Sequence, residues 1–378
     1  MIYQHWDKLT KCMVGKSYPP EFYSWIKDPK ARNAMEKIAS ETEEDYVKLS
    51  NLLRKFNVEV IRPDVSGNHE EYFNTRTNRY TKAPMAPRDV TGKFGDKLYL
   101  DTPNYLKIFY DHIKDSLWPE IEKSDDIFKL PQNILNELYT IFNLQHELSI
   151  DSDHKHIVAF EDCFIKHNID YTINETKIVT DTAGVVRVGK DLYYPGDWNH
   201  TQTKVNNFFK NNYRINFYNG SGHADSCFCP VVPGLILSLK GYLEYKESFP
   251  EWEVIELPDQ SWEKVRPFLD LKAKNKGKWW VPGEEGNDAL TTCVETWLDN
   301  WVGYVEETVF DVNMLVIDKN NVIVNNYNKK VFDALERYGV TPHICNFRHR
   351  YFWDGGIHCI TADLERESVM EDYFPERG

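Results

Sequence analysis

Apolar positions along this chain come in short runs separated by polar turns, and one order of runs recurs. Lys11-Cys12-Met13-Val14-Gly15 predicts a strand, Ala31 to Phe56 sets Met35, Ile38, Tyr46, Leu49 and Leu53 at helical spacing, and Val58-Glu59-Val60-Ile61 predicts another strand. A clearer copy follows: Val185 to Val188 and Asp191 to Tyr194 predict a hairpin, Asn199 to Asn211 a helix, and Tyr213 to Tyr218 a returning strand. The same order recurs in Met314 to Ile317, Val322 to Val324, a helix from Asn328 to Tyr338 stopped by Gly339, and Val340 to Phe347.

Two weaker copies start at Asp89 and Asp225. In the first, Leu98 to Leu100 precedes a helix opened by Thr102-Pro103; in the second, Gly234 to Ser238 precedes Trp252 to Ile255. That makes about five strand-strand-helix-strand units. Units that cannot bury their own apolar face must stack, and a radial stack gives a propeller-like assembly with a central channel, with a two-layer α/β sheet as the rival. Residues 116–156 and 249–286 fit the repeat badly and are expected to be insertions or covering loops, not separate domains.

Composition narrows the class. With 378 residues, 41% hydrophobic and 14% aromatic, the chain can bury a large core in one big domain or two ordinary ones. Met1 to Pro20 lacks a basic segment followed by an apolar one, and no run approaches the roughly 18 apolar residues of a membrane span, so a cytoplasmic protein is expected. Seven cysteines without a disulfide-like framework agree with a reducing compartment. A net charge of −14 argues against a nucleic-acid partner and suits cationic small molecules.

The stretch from Trp353 to Arg366 carries the candidate chemistry. Gly355-Gly356 allow a sharp bend and close approach to a ligand, and a β-prone run then presents Cys359 at the start of a strand. Such a cysteine is either a nucleophile or a buried thiol acting as a small hydrophobe. Polar residues that core strands do not need stand at or near the starts of the units: Arg88-Asp89, Thr180-Asp181 and His223-Ala224-Asp225. In an extended segment His223 and Asp225 point to one face. Cysteine, histidine and aspartate far apart in sequence are the set that activates a thiolate, and each alone is also an ordinary turn or core residue. Cys227-Phe228-Cys229 and His154-Lys155-His156 lack further metal ligands at known spacings, and no glycine-rich phosphate loop opens a helix, so neither metal nor cofactor is expected. Trp279-Trp280, beside the basic stretch Lys272 to Lys278, reads as a lid or a solvated loop.

Five ordered motifs carry a resemblance. Met85-Ala86-Pro87-Arg88-Asp89, Thr180 to Asp191, His223-Ala224-Asp225 with Pro233 to Ser238, Asp311-Val312-Asn313-Met314-Leu315, and Gly355-Gly356-Ile357-His358-Cys359 resemble the successive motifs of the glycine amidinotransferase family. Weaker echoes stand at Trp6 to Leu9 and Arg62 to Asp64. The resemblance implies a guanidino-group-modifying enzyme with a single-domain, five-bladed α/β propeller of ββαβ units over residues 1–378. It implies Cys359 as nucleophile, His223 as general acid and base, Asp181 as its partner, and Asp89 and Asp225 holding the guanidinium. Arg88 and Asn313 fall within the motifs and are expected at the substrate. The implied partners are arginine as donor and an amine as acceptor, with a homodimer compatible.

Two departures bear on specificity. Where the family places an arginine that grips the donor carboxylate, this chain has Tyr242, with Lys240 close by. Where the family has small serines, it has Glu306 and Glu307, which favour an amine over a carboxylate, unless an insertion displaces them. Hydrolysis on the same scaffold and a non-catalytic binding protein are the other readings.

Overall fold

The computed structural model describes residues 1–74, 78–101, 117–124, 129–139, 155–174, 182–195, 202–218, 223–258, 279–299, 301–302 and 309–377. Among them stand five three-stranded sheets and one two-stranded ribbon in a mixed α/β fold. Each three-stranded sheet has a middle strand paired antiparallel on one side and parallel on the other. A parallel return needs a crossover, and the helices supply it.

The first sheet joins both ends of the chain, with Lys8–Val14 between the C-terminal strand Thr361–Glu367 and Glu59–Ile61. Its crossover is the helix Pro29–Lys55, started by proline at the first position and by the Asp28 carboxylate, which accepts from the backbone N–H of Lys30 at 2.8 Å. The third sheet is Val186–Val188, Asp191–Pro195 and Arg214–Tyr218, and the fifth is Leu315–Asp318, Asn321–Val324 and Thr341–Ile344. Their helices, Gln202–Phe208 and Lys329–Arg337, stand where the apolar periodicity predicts them. Gly339, at φ 70°, ends the latter.

The weaker copies differ more. Thr91–Phe94 opens the second sheet and Phe228–Val232 the fourth, strands missed because Gly92, Lys93 and Pro230 break the apolar run. The helix expected at Thr102-Pro103 lies outside the described residues; Lys155–Lys166 precedes the returning strand Thr172–Asn174. Within 116–156, Leu117, Leu130, Ile134 and Leu138 form a small cluster of their own. The expected insertion 249–286 is corrected at both ends. Glu253–Leu257 pairs in parallel with Leu235–Leu239 as the third strand of the fourth sheet. Trp279 and Val281 belong to the largest core cluster and Trp280 is buried too, so the tryptophan pair is core and not a lid or a solvated loop.

An ionic hub ties the sheets together. The buried Asp363 carboxylate meets Arg88 Nη1 at 2.8 Å, Arg187 Nη2 at 2.8 Å and Arg366 Nε at 3.0 Å. Arg187 also donates to the carbonyl of Lys93, and Arg366 to those of Asp7 and Val316. The first, second, third and fifth sheets are thereby linked to one carboxylate, the second and fifth through carbonyls bound by its arginines. Its desolvation is offset by three cations, which hold its carboxyl well below the usual range against the opposing effect of burial. No described helix is long and apolar enough to cross a membrane.

Candidate active site

Turns that precede the sheets meet one another. Pro87–Asp89 touches Thr182–Gly184, which touches Ala224–Ser226, which in turn touches Val309–Val312. Cys359 lies in the turn ahead of Thr361–Glu367, not in the strand itself. The sharp bend before it is made by Asp354, in the left-handed region at φ 54°. Gly356 serves a close approach within the protein: a Cβ there would lie 2.4 Å from Asn313 Oδ1. The expected approach of this glycine to a ligand is therefore replaced by an approach to Asn313.

Two buried asparagines grip this turn. Asn313 Oδ1 accepts from the backbone N–H of His358 at 2.9 Å and of Cys359 at 3.4 Å. Its Nδ2 donates to Cys359 Sγ at 2.9 Å and to the Asp225 carbonyl at 3.4 Å. Asn325 donates to the carbonyls of Asn313 and Phe310 at 2.7 and 2.9 Å, and its Oδ1 accepts from the N–H of Ile357 at 3.2 Å. Every polar atom of the turn that faces these amides is thus satisfied without water.

Asp225 is brought to the sulfur by a 3-10 turn, Ala224–Ser226, and not by the extended segment expected around His223. Its Oδ2 is 3.6 Å from Cys359 Sγ and 2.6 Å from His358 Nδ1. His358 is buried beside it. Burial first and the nearby Arg88 charge second lower the His358 pKa to about 4, so the ring is neutral and Nδ1–H is the donor to a carboxylate. Burial would raise the Asp225 carboxyl, but the His358 hydrogen bond and the nearby His223 and Arg88 groups bring it below its ordinary value. Behind the pair lies a chamber of about 20 Å³, room for one water, whose lining includes His5, Cys229 and Arg366.

His223 and Asp89 form the open side. Their side chains are 36% and 37% exposed, with His223 Nδ1 3.8 Å from Asp89 Oδ1. Cys359 is 6% exposed. Burial pushes its thiol up to about 12, the Asp225 and Asp89 charges add to this, and a hydrogen bond with His223 opposes it. A thiol, a histidine in contact with it and two carboxylates suit nucleophilic attack on a planar cation.

The remaining expected residues separate. Arg88 is buried; it pairs with Asp363 and donates Nε to the carbonyls of His358 at 3.1 Å and Thr361 at 2.9 Å, behind the cysteine turn. Asn313 also supports that turn from within. Tyr242 packs its ring against Tyr218 and Phe228 at 5.9 and 5.8 Å, and Lys240 is exposed at the end of a strand. Asp181, Glu306 and Glu307 lie outside the described residues, as does His154. Cys227 and Cys229 form no disulfide, and no described group of three or more His, Cys, Asp or Glu stands together as metal ligands. Sequence reasoning missed Asn325, His5 and the role of His358, for which adjacency to Cys359 was the one available signal.

This geometry defines a cysteine-centred site on a scaffold of repeated α/β sheets. No family model matches the chain. Along 98% of its length it is similar to known amidinotransferases: it is 21% identical to the mitochondrial glycine amidinotransferase of Gallus gallus, covering 84% of that protein. It is 20% identical to the L-arginine:L-lysine amidinotransferase of Pseudomonas savastanoi pv. phaseolicola, covering 96% of it. Its fold is that of SxtG, an amidinotransferase of Microseira wollei in the saxitoxin biosynthetic pathway, with a TM-score of 0.58, 16% identity and 99% of each chain covered.

Proposed function

We propose that this protein transfers the amidino group of arginine to an acceptor amine through a covalent intermediate on Cys359. The observation that carries the reading is the placement of the Cys359 sulfur 3.6 Å from the Asp225 carboxylate, with His223 and Asp89 on its open side. The similarity to amidinotransferases over nearly the whole chain supports it.

In this mechanism Asp89 and Asp225 hold the guanidinium, and Asp181 orients His223. The thiol proton passes to His223 and the thiolate attacks the guanidinium carbon. His223 returns that proton to the departing nitrogen as the C–N bond breaks, releasing ornithine and leaving an amidino-thioether. The acceptor amine then attacks the same carbon and gives a proton to His223, and the C–S bond breaks to restore the thiolate. Kinetics are ping-pong.

The acceptor we favour is a longer amine with a second cationic group, because Glu306 and Glu307 attract an ammonium if they line the pocket. The relative named for lysine agrees with this choice. Radial closure of the five sheets into a propeller is part of the reading. It is supported by contacts of Lys8–Val14 with Leu315–Asp318 and of Thr361–Glu367 with Thr91–Phe94. Seven cysteines that form no disulfide support a cytoplasmic setting.

Incubation with arginine and glycine, lysine or simple diamines, with products identified by mass spectrometry, tests the function. Ornithine with an amidinated acceptor is expected. Steady citrulline release would replace transfer by hydrolysis, and glycine as best acceptor would overturn the diamine assignment.

A further inference from the structure

The amide of Asn313 can face only one way. Its Oδ1 meets two backbone N–H groups, and an N–H cannot usefully point at an NH2, so the donor end is turned toward the Cys359 sulfur. One N–H of that end serves Sγ at 2.9 Å and the other the Asp225 carbonyl at 3.4 Å. The residue is fully buried, Asn325 holds its backbone from behind, and Gly356 closes over Oδ1, so the amide cannot turn away.

An N–H aimed at sulfur gains about twice as much from a thiolate as from a neutral thiol. Burial and the carboxylate 3.6 Å away work in the opposite sense, and His223 works in the same sense as the amide from the open side. We propose that Asn313 is a catalytic residue, the fixed neutral donor that stabilises the Cys359 thiolate both before attack and when the thiolate leaves the amidino-thioether. This rests on the thiolate chemistry proposed above, and it gives Asn313 the sulfur as its partner instead of the substrate.

Alkylation of Cys359 by iodoacetamide at pH 8.5 without arginine, followed on the modified peptide, tests it. Asn313→Asp keeps the acceptor for the two backbone N–H groups, removes the donor and adds a charge that itself opposes the thiolate, so a rate within twofold of wild type overturns the proposal. The neutral Asn313→Ala, expected to alkylate several-fold more slowly than wild type, decides by sign. Loss of a mere clamp loosens the turn and exposes the sulfur, giving an equal or faster rate, whereas loss of thiolate stabilisation gives a slower one. Wild-type protein that alkylates normally yet forms no adduct or product with arginine would refute the transfer function while leaving the result on Asn313 intact.

Discussion

One carboxylate oxygen, Asp225 Oδ2, accepts a hydrogen bond from His358 at 2.6 Å while standing 3.6 Å from the sulfur of Cys359. The neutral imidazole fixes the carboxylate as an anion, and the anion opposes ionisation of the thiol. A bound guanidinium would cancel that opposition, since it pairs with the carboxylate beside the sulfur.

Asp225→Asn therefore separates binding from ionisation. Without the charge, the thiol pKa falls from its value of about 12, and iodoacetamide labels Cys359 several-fold faster at pH 8.5. Arginine-dependent amidination of the same peptide falls at least a hundredfold, roughly 2.7 kcal/mol. Slower labelling of the variant would contradict the charge argument.

Cys359→Ala is expected to leave a folded protein with no detectable turnover, since the covalent route is lost while a small buried substitution is tolerated. Wild-type enzyme given arginine without acceptor should gain one amidino group on the peptide that contains Cys359. Near wild-type activity in the alanine variant would remove the nucleophile from the scheme.

Stability should depend on pH through His358. Its pKa is about 4 in the folded protein against an ordinary 6.5, so the unfolded chain binds the extra proton between those values. The stabilisation is complete above pH 6.5 and is lost as pH falls toward 4, by about 3 kcal/mol for this one group. His5, buried and lowered in the same direction, acts with the same sign. Thermal melts of His358→Asn, whose amide nitrogen can replace Nδ1–H, should show a shallower loss between pH 6.5 and 4.5; an unchanged slope would refute the assignment.

Gly356→Ala places a methyl group 2.4 Å from Asn313 Oδ1 and 3.0 Å from Asn325 Nδ2, two side chains that are themselves locked. A loss of about 1 to 3 kcal/mol in stability is expected from such overpacking. Amidination should slow as well, because the turn that carries Cys359 must shift. Denaturant melts and adduct formation together read this out.

Local patterns in the sequence were enough to determine most of the repeated strand-strand-helix-strand order, because periodicity and the stop at Gly339 act within a few residues of the chain, while Thr91–Phe94 and Phe228–Val232 were missed. They also singled out Cys359, His223 and Asp225. What only the tertiary structure decided is how distant polar side chains share partners. That Arg88 turns inward to Asp363, that Asn313 and Asn325 hold the cysteine turn, and that His358 serves Asp225 depend on contacts between residues 32 to 275 positions apart. Trp279-Trp280 was obscured for the same reason: beside the basic stretch it reads as a lid or a solvated loop, and burial against other segments, which no local pattern encodes, makes it core.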